Sequence, residues 1–166
     1  MLLPPLADDM GVVWRIGWQE NDEALERDAM AFWARENLLA NAETGRARIK
    51  ELNVCAYVDG ELAAVSTAVL RDVPFLRARL AMHRCAVSEP FRRRNLARWI
   101  NVQSVAQLEA WSIAHPEEKV TGVATVVQAK VDNAKTPVWR TGFMLVGYTK
   151  EGEQFRVAWF PHARLS

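Results

Sequence analysis

The sequence predicts an α/β fold, with a mixed, mostly antiparallel sheet of about seven strands flanked by helices. Three observations predict it. Apolar runs at residues 52–58 and 62–70 flank Asp59-Gly60, a two-residue hairpin signal. An apolar stripe carried by Leu96, Trp99, Ile100, Val102, Val105, Leu108 and Ile113 recurs at helical spacing and marks a long helix. Strand-like and helix-like patterns follow one another so that helices are interspersed in a single sheet.

Taken in order, residues 12–18 are β-branched and aromatic and end in the polar cluster Gln19-Glu20-Asn21-Asp22, which predicts a first strand. An amphipathic helix is predicted over 23–39, behind Asn21 or Asp22 as its N-cap. A short second helix follows over 42–50, weakened by Gly45. After the hairpin, Val73-Pro74-Phe75 breaks the pattern and a strand runs over 76–87, ahead of Pro90. The long helix ends at His115-Pro116, and 120–127 is a β-branched run suited to a buried strand. A helical segment is predicted over 133–140, stopping at Gly142, and residues 143–148 and 155–160 form a closing hairpin. Nothing interrupts this order, so one domain over residues 1–166 is expected.

With 21 basic and 20 acidic side chains the net charge is +1, which argues against a protein that coats nucleic acid over a wide basic face. Cys55 and Cys85 are the only cysteines and give no disulfide framework; with three scattered histidines, no metal site is expected. The opening Met-Leu-Leu-Pro-Pro-Leu lacks a basic flank and is broken by prolines, so it reads neither as a secretory signal nor as a span. A cytoplasmic protein with no membrane partner is the expectation. Val157, Trp159 and Phe160 would allow pairing of a second chain if the last strand were an edge, so monomer and homodimer are both open. Trp14, Trp18, Phe32 and Trp33 fit either ordinary packing or an aromatic wall for an apolar ligand.

Ala86-Val87-Ser88-Glu89-Pro90-Phe91-Arg92-Arg93-Arg94-Asn95-Leu96-Ala97-Arg98 reads as strand, tight turn and helix start. A helix N-terminus carries roughly +0.5 of a charge, so Arg92, Arg93, Arg94 and Arg98 sit where the dipole disfavours them. Either the turn is a solvated basic surface or it holds an anion, and backbone N–H groups plus guanidinium forks suit a pyrophosphate.

This stretch resembles motif A of the GNAT acyltransferase superfamily, in which Gln or Arg is followed by two variable residues, Gly, one variable residue, and Gly or Ala. Arg92 stands at the first position, Asn95 in place of the first glycine and Ala97 at the last. Met82 to Val87 resembles the strand leading into the motif, and the run from Asn133 to Gly142-Phe143 resembles the superfamily's Asn-to-Gly-Phe segment. The resemblance covers residues 12–160. It implies an acyl-CoA-dependent N-acyltransferase, with acetyl-CoA or another acyl-CoA as co-substrate, no metal, and a small-molecule or peptide amine as acceptor. It further implies that Cys85, Ala86 and Val87 offer backbone groups to pantetheine, that residues 93–97 (Arg93, Arg94, Asn95, Leu96, Ala97) hold the pyrophosphate with Arg92, that Arg98 meets another phosphate, and that Asn133 lies in the cofactor-binding segment. Asn departs from Gly, yet it is the residue that best tolerates left-handed backbone after glycine.

Transfer also needs a proton acceptor for the amine and a donor for the leaving thiolate. In the superfamily a tyrosine before Gly-Phe often serves as donor. Here the nearby aromatic is Trp139, whose indole has no suitable pKa, which leaves Tyr148 or water. His83, on the strand leading to the turn, is the candidate base, its alternative being a strand histidine bonded to a neighbour. His115 and His162 read as structural or solvated. A CoA-binding module of the same fold without chemistry is the competing reading, and nucleic-acid binding through the arginine turn a more distant one.

Overall fold

The computed structural model describes residues 11–128, 131 and 133–164, so the opening Met1 to Leu6 lies outside the described residues. The elements run β1 (Val13–Ile16), α1 (Glu23–Arg35), α2 (Ala42–Ile49), β2 (Leu52–Val58), β3 (Glu61–Val73), β4 (Ala78–Val87), α3 (Leu96–Ala114), β5 (Val120–Val127), β6 (Met144–Tyr148) and β7 (Gln154–Trp159). The seven strands form one sheet in the order β1-β2-β3-β4-β5-β7-β6. The β4–β5 pair is parallel, while β1–β2, β2–β3, β5–β7 and β6–β7 are antiparallel. A mixed, mostly antiparallel sheet with helices is what the sequence predicts. No helix among the described residues is long and apolar enough to cross a membrane.

Main-chain contacts gather the described residues into two compact units, one of residues 11–68 and 85–107, the other of residues 69–84 and 108–164. In the first, Asp22 caps α1 by accepting the Leu25 N–H at 3.0 Å, and this bond lowers its carboxyl pKa most, aided by Arg15. Asn41 does the same for α2 toward Thr44 at 2.8 Å. Gly45 lets α2 approach α1, because a Cβ there would stand 2.6 Å from the Met30 sulfur. Asp59 (φ +50°) and Gly60 (φ +80°) close the β2–β3 hairpin with both residues left-handed, the geometry for which Asp-Gly is chosen.

Both faces of β2 and β3 are covered. Leu25, Ala29, Phe32 and Trp33 of α1 pack with Cys55, Leu62 and Val65, while Leu96 and Ile100 of α3 pack with Ala56, Val58, Ala63 and Val87. Phe32 and Trp33 are thus interior packing residues. The β2–β3 register slips between Leu52 and Cys55, and Ser66 fills the slip. Its hydroxyl accepts from the Val54 N–H at 2.9 Å, lies 3.1 Å from the Val54 carbonyl, and takes a bond from Ser104 at 2.8 Å, so the buried main chain stays satisfied.

In the second unit Val73, Ala78, Leu80, Ala124, Phe155 and Val157 form the core. β7 lies between β5 and β6, so the expected edge at Val157, Trp159 and Phe160 is an interior strand instead. The helix predicted over 133–140 is also absent: the described residues there form turns, and Val138 bridges Met144. Pro137 denies that run a helical N–H, and its carbonyls are claimed from outside, as described below.

Candidate functional site

β4 ends at Val87, which is buried against Leu96 and Ile100. The Ser88 N–H donates to the Ala63 carbonyl at 2.8 Å and anchors the exit of the strand. Pro90 starts one tight turn over Glu89–Phe91, and the chain continues through stacked turns, Arg92 N–H to Glu89 O at 3.3 Å and Arg94 N–H to Phe91 O at 3.2 Å. Asn95 then takes φ +62°. This left-handed residue turns its carbonyl to receive the N–H groups of Arg98 (3.0 Å) and Trp99 (3.2 Å), which begins α3. The main-chain N–H groups of Arg93, Leu96 and Ala97 have no main-chain acceptor among the described residues. An N-terminal turn of this kind presents donors to an anion.

The four arginines divide by task. Arg92 is engaged inside the protein, its Nε donating to the Val87 carbonyl at 3.1 Å and its guanidinium 3.5 Å from Glu36. Arg94 lies over the Phe91 ring at 5.8 Å. Arg93 and Arg98 are exposed and carry no ion pair or side-chain hydrogen bond among the described residues. Arg92 therefore braces the turn to the strand end, and Arg93 and Arg98 are the guanidiniums open to a ligand.

Upstream, the parallel ladder joins Arg79–Met82 of β4 to Val120–Ala124 of β5 and stops there, although β4 runs on to Val87. Cys85, Ala86 and Val87 lie beyond that ladder. The Cys85 thiol is exposed, yet the surrounding protein desolvates it enough to push its pKa up to about 11, against the opposing amide of Asn101. Asn101 in turn donates to the Ala97 carbonyl at 2.6 Å. The raised pKa keeps the Cys85 thiol protonated at neutral pH.

His83 is 2 % exposed, with its ring 6.3 Å from that of Phe143. Neither ring nitrogen has a hydrogen-bond partner among the described residues, and burial lowers the pKa to about 4. It is a neutral imidazole that bonds no neighbour among the described residues. Tyr148 closes β6 and is 63 % exposed. His115 stacks on Trp111 with ring centroids 4.6 Å apart, and His162 stacks on Phe160 with its Nε2 3.1 Å from the Ser112 hydroxyl, so both have packing roles. The turn residues from Cys85 to Arg98 belong to the first compact unit; His83, Asn133 and Tyr148 belong to the second.

No family model and no curated protein matches this sequence. Solved structures do match. An acetyltransferase of the GNAT family from Streptococcus pneumoniae superposes with a TM-score of 0.60 over 88% of this chain and 96% of its own, at 12% identity. The ribosomal-protein-S18-alanine N-acetyltransferase of Escherichia coli gives 0.55 over 93% and 96%, at 16% identity. This chain has the GNAT acetyltransferase fold. An N-acyl amino acid synthase from uncultured soil microbes shares the GNAT fold too, with a TM-score of 0.56 over 92% of this chain and 93% of its own, at 12% identity.

Within this GNAT fold one structural residue escaped the sequence reading. Arg156 of β7 is fully buried and has no ion pair among the described residues. It donates to the carbonyls of Ala134 (3.0 Å), Thr136 (2.9 Å) and Pro137 (3.4 Å) and to Gln154 Oε1 (2.8 Å), and stacks 4.0 Å from the Trp139 ring. Desolvation lowers its pKa. The carbonyls and the π face replace a counter-ion. Trp139 also donates its indole N–H to the Asn133 carbonyl at 3.0 Å, so Asn133 and Trp139 are parts of this clamp. The signal available in sequence was an arginine inside an otherwise apolar strand, Phe155-Arg156-Val157.

Proposed function

We propose that the protein is an acyl-CoA-dependent N-acyltransferase, most simply an N-acetyltransferase, acting on an amine by direct attack. The observation that carries this reading is the turn at Asn95, where a left-handed residue, three N–H groups without a main-chain acceptor and the guanidiniums of Arg93 and Arg98 without an ion pair, all among the described residues, meet at the start of α3. A pyrophosphate supplies the charge those groups lack. Cys85, Ala86 and Val87, which lie beyond the end of the β4–β5 ladder, are the strand residues proposed to bond pantetheine through their main chain.

In the reaction the neutral amine nitrogen attacks the thioester carbonyl, a C–N bond forms, the C–S bond breaks, the amine gives up a proton and the thiolate gains one. Tyr148, exposed at the end of β6, is the proposed donor to the thiolate. His83, whose buried ring nitrogens have no hydrogen-bond partner among the described residues, is the proposed acceptor. An imidazole of pKa about 4 is a weak base, so the amine has to arrive largely unprotonated and activity has to rise with pH. A second reading, a CoA-binding module without transfer, is favoured by the 133–140 segment, where turns and a clamped indole stand in place of a helix bearing a tyrosine.

Calorimetry with coenzyme A, followed by thiol-release assays with acetyl-CoA over amines, amino acids and peptides, separates the two. Binding with release supports transfer, and binding without release across the panel supports the silent module. Absence of saturable binding overturns both. If transfer occurs, Tyr148→Phe and His83→Leu each lower kcat by about 10²-fold or more where the residue moves a proton.

A further inference from the structure

A cavity of about 960 Å³ opens at the beginnings of β4 and β5, whereas the proposed CoA turn follows the end of β4. Its size is that of a pocket for an organic metabolite. Both strands are entered by the same device. Pro74 and Pro116 each start a single 3-10 turn, and each turn closes on a left-handed basic residue, Arg77 at φ +49° and Lys119 at φ +53°. The closing bonds match as well, Arg77 N–H to Pro74 O at 3.0 Å and Lys119 N–H to Pro116 O at 3.2 Å.

Left-handed backbone costs a long side chain energy that Gly would not incur and Asn or Asp bears more easily. Among the described residues seven non-glycine residues have positive φ, and four of them are Asn or Asp. Of the other three, Gln19, Arg77 and Lys119, two line this cavity. The strain is retained where the side chains are cationic and face one space, which is the pattern of a ligand clamp rather than of a turn chosen for its own stability.

The charges of the wall do not cancel locally. Arg79 is held between Asp72 (3.3 Å) and Glu118 (3.4 Å), and its buried Nε has no acceptor among the described residues. Arg77, Lys119 and Arg164 have no ion pair among the described residues, and Glu117 is the one unpaired acid of the lining. The lining also includes Val73, Ala78 and Val120, which are buried, and Ile113, which is 58 % exposed and supplies the open apolar surface. An inorganic ion would leave that apolar surface wet.

We propose that this cavity is a binding site for an amphipathic organic anion, with its carboxylate or phosphate between Arg77, Lys119 and Arg164 and its apolar body on Ile113. The site is separate from the acyl-CoA turn and stands whether or not transfer is found. Isothermal titration of the full chain with 1-naphthyl phosphate and 1-naphthylacetate distinguishes the two headgroups, with 1-naphthylmethylamine as the cationic control. At least one anion binds saturably, at least tenfold more tightly than the amine. The Arg77→Gly/Lys119→Gly variant loses at least tenfold in that affinity while melting no lower than the parent, because glycine relieves both strained residues. Coenzyme A binding is unchanged in that variant. Failure of both anions to bind, or binding that survives the double substitution, overturns the proposal.

Discussion

His83 makes stability depend on pH in a way that can be calculated. In the unfolded chain its imidazole titrates near 6.5, and in the folded protein burial without a partner lowers this to about 4. The unfolded state therefore binds more protons between these values, and stability falls as pH falls through the window. Above the unfolded pKa both states are neutral and His83 costs nothing by this route. At about 1.4 kcal/mol per pKa unit, the full loss below the folded pKa is about 3 kcal/mol, of which about 2 kcal/mol has already been lost at about pH 5. Urea denaturation at a series of pH values from neutral to weakly acidic measures it, with His83→Leu removing the titrating group and both orphaned nitrogens at similar volume. At neutral pH the leucine variant matches or exceeds the parent, since two buried polar atoms without partners give way to an apolar group. On acidification the parent loses about 2 kcal/mol more than the variant by about pH 5. Parallel stability curves for the two proteins would refute a buried, unpartnered imidazole.

Other perturbations test the remaining structure. Arg93→Ala and Arg98→Ala each weaken coenzyme A by about tenfold, and added salt erodes the parent's affinity more than the double variant's, both read by calorimetry. Asn95→Gly preserves the turn, whereas Asn95→Val costs about 1–2 kcal/mol because a β-branched residue is forced into left-handed backbone; thermal melting separates them. Arg156→Met removes charge-assisted bonds worth about 1.5–3 kcal/mol each and leaves carbonyls unpaired, so it lowers stability by at least about 3 kcal/mol. Hydrogen exchange in the same variant accelerates at residues 133–139, while the Asp59-Gly60 hairpin keeps its protection.

The features legible in sequence are those decided by neighbours along the chain. Asp59-Gly60 names a turn because both residues accept positive φ, and Asp22 and Asn41 cap helices through bonds only three residues long. Asn95 is of the same kind, since its left-handed conformation follows from residue type and position in the turn. The 133–140 segment fails as a helix for the opposite reason: its carbonyls are taken by Arg156, about twenty residues away, and no local pattern reports that. Arg92 shows the same limit within the site. Its place in the arginine run suggests a phosphate contact, and only the fold brings Glu36 and the Val87 carbonyl to its guanidinium. The placement of Val157 inside the sheet depends on β6 pairing outside β7, which strand content alone does not order.

Ala134, Thr136 and Pro137 meet Arg156 through oxygens that every amino acid possesses. The course of that loop is consequently insensitive to which side chains it displays, provided Trp139 keeps its ring over the guanidinium. Residues 134–136 can then be exchanged for other side chains without redrawing the path of the loop.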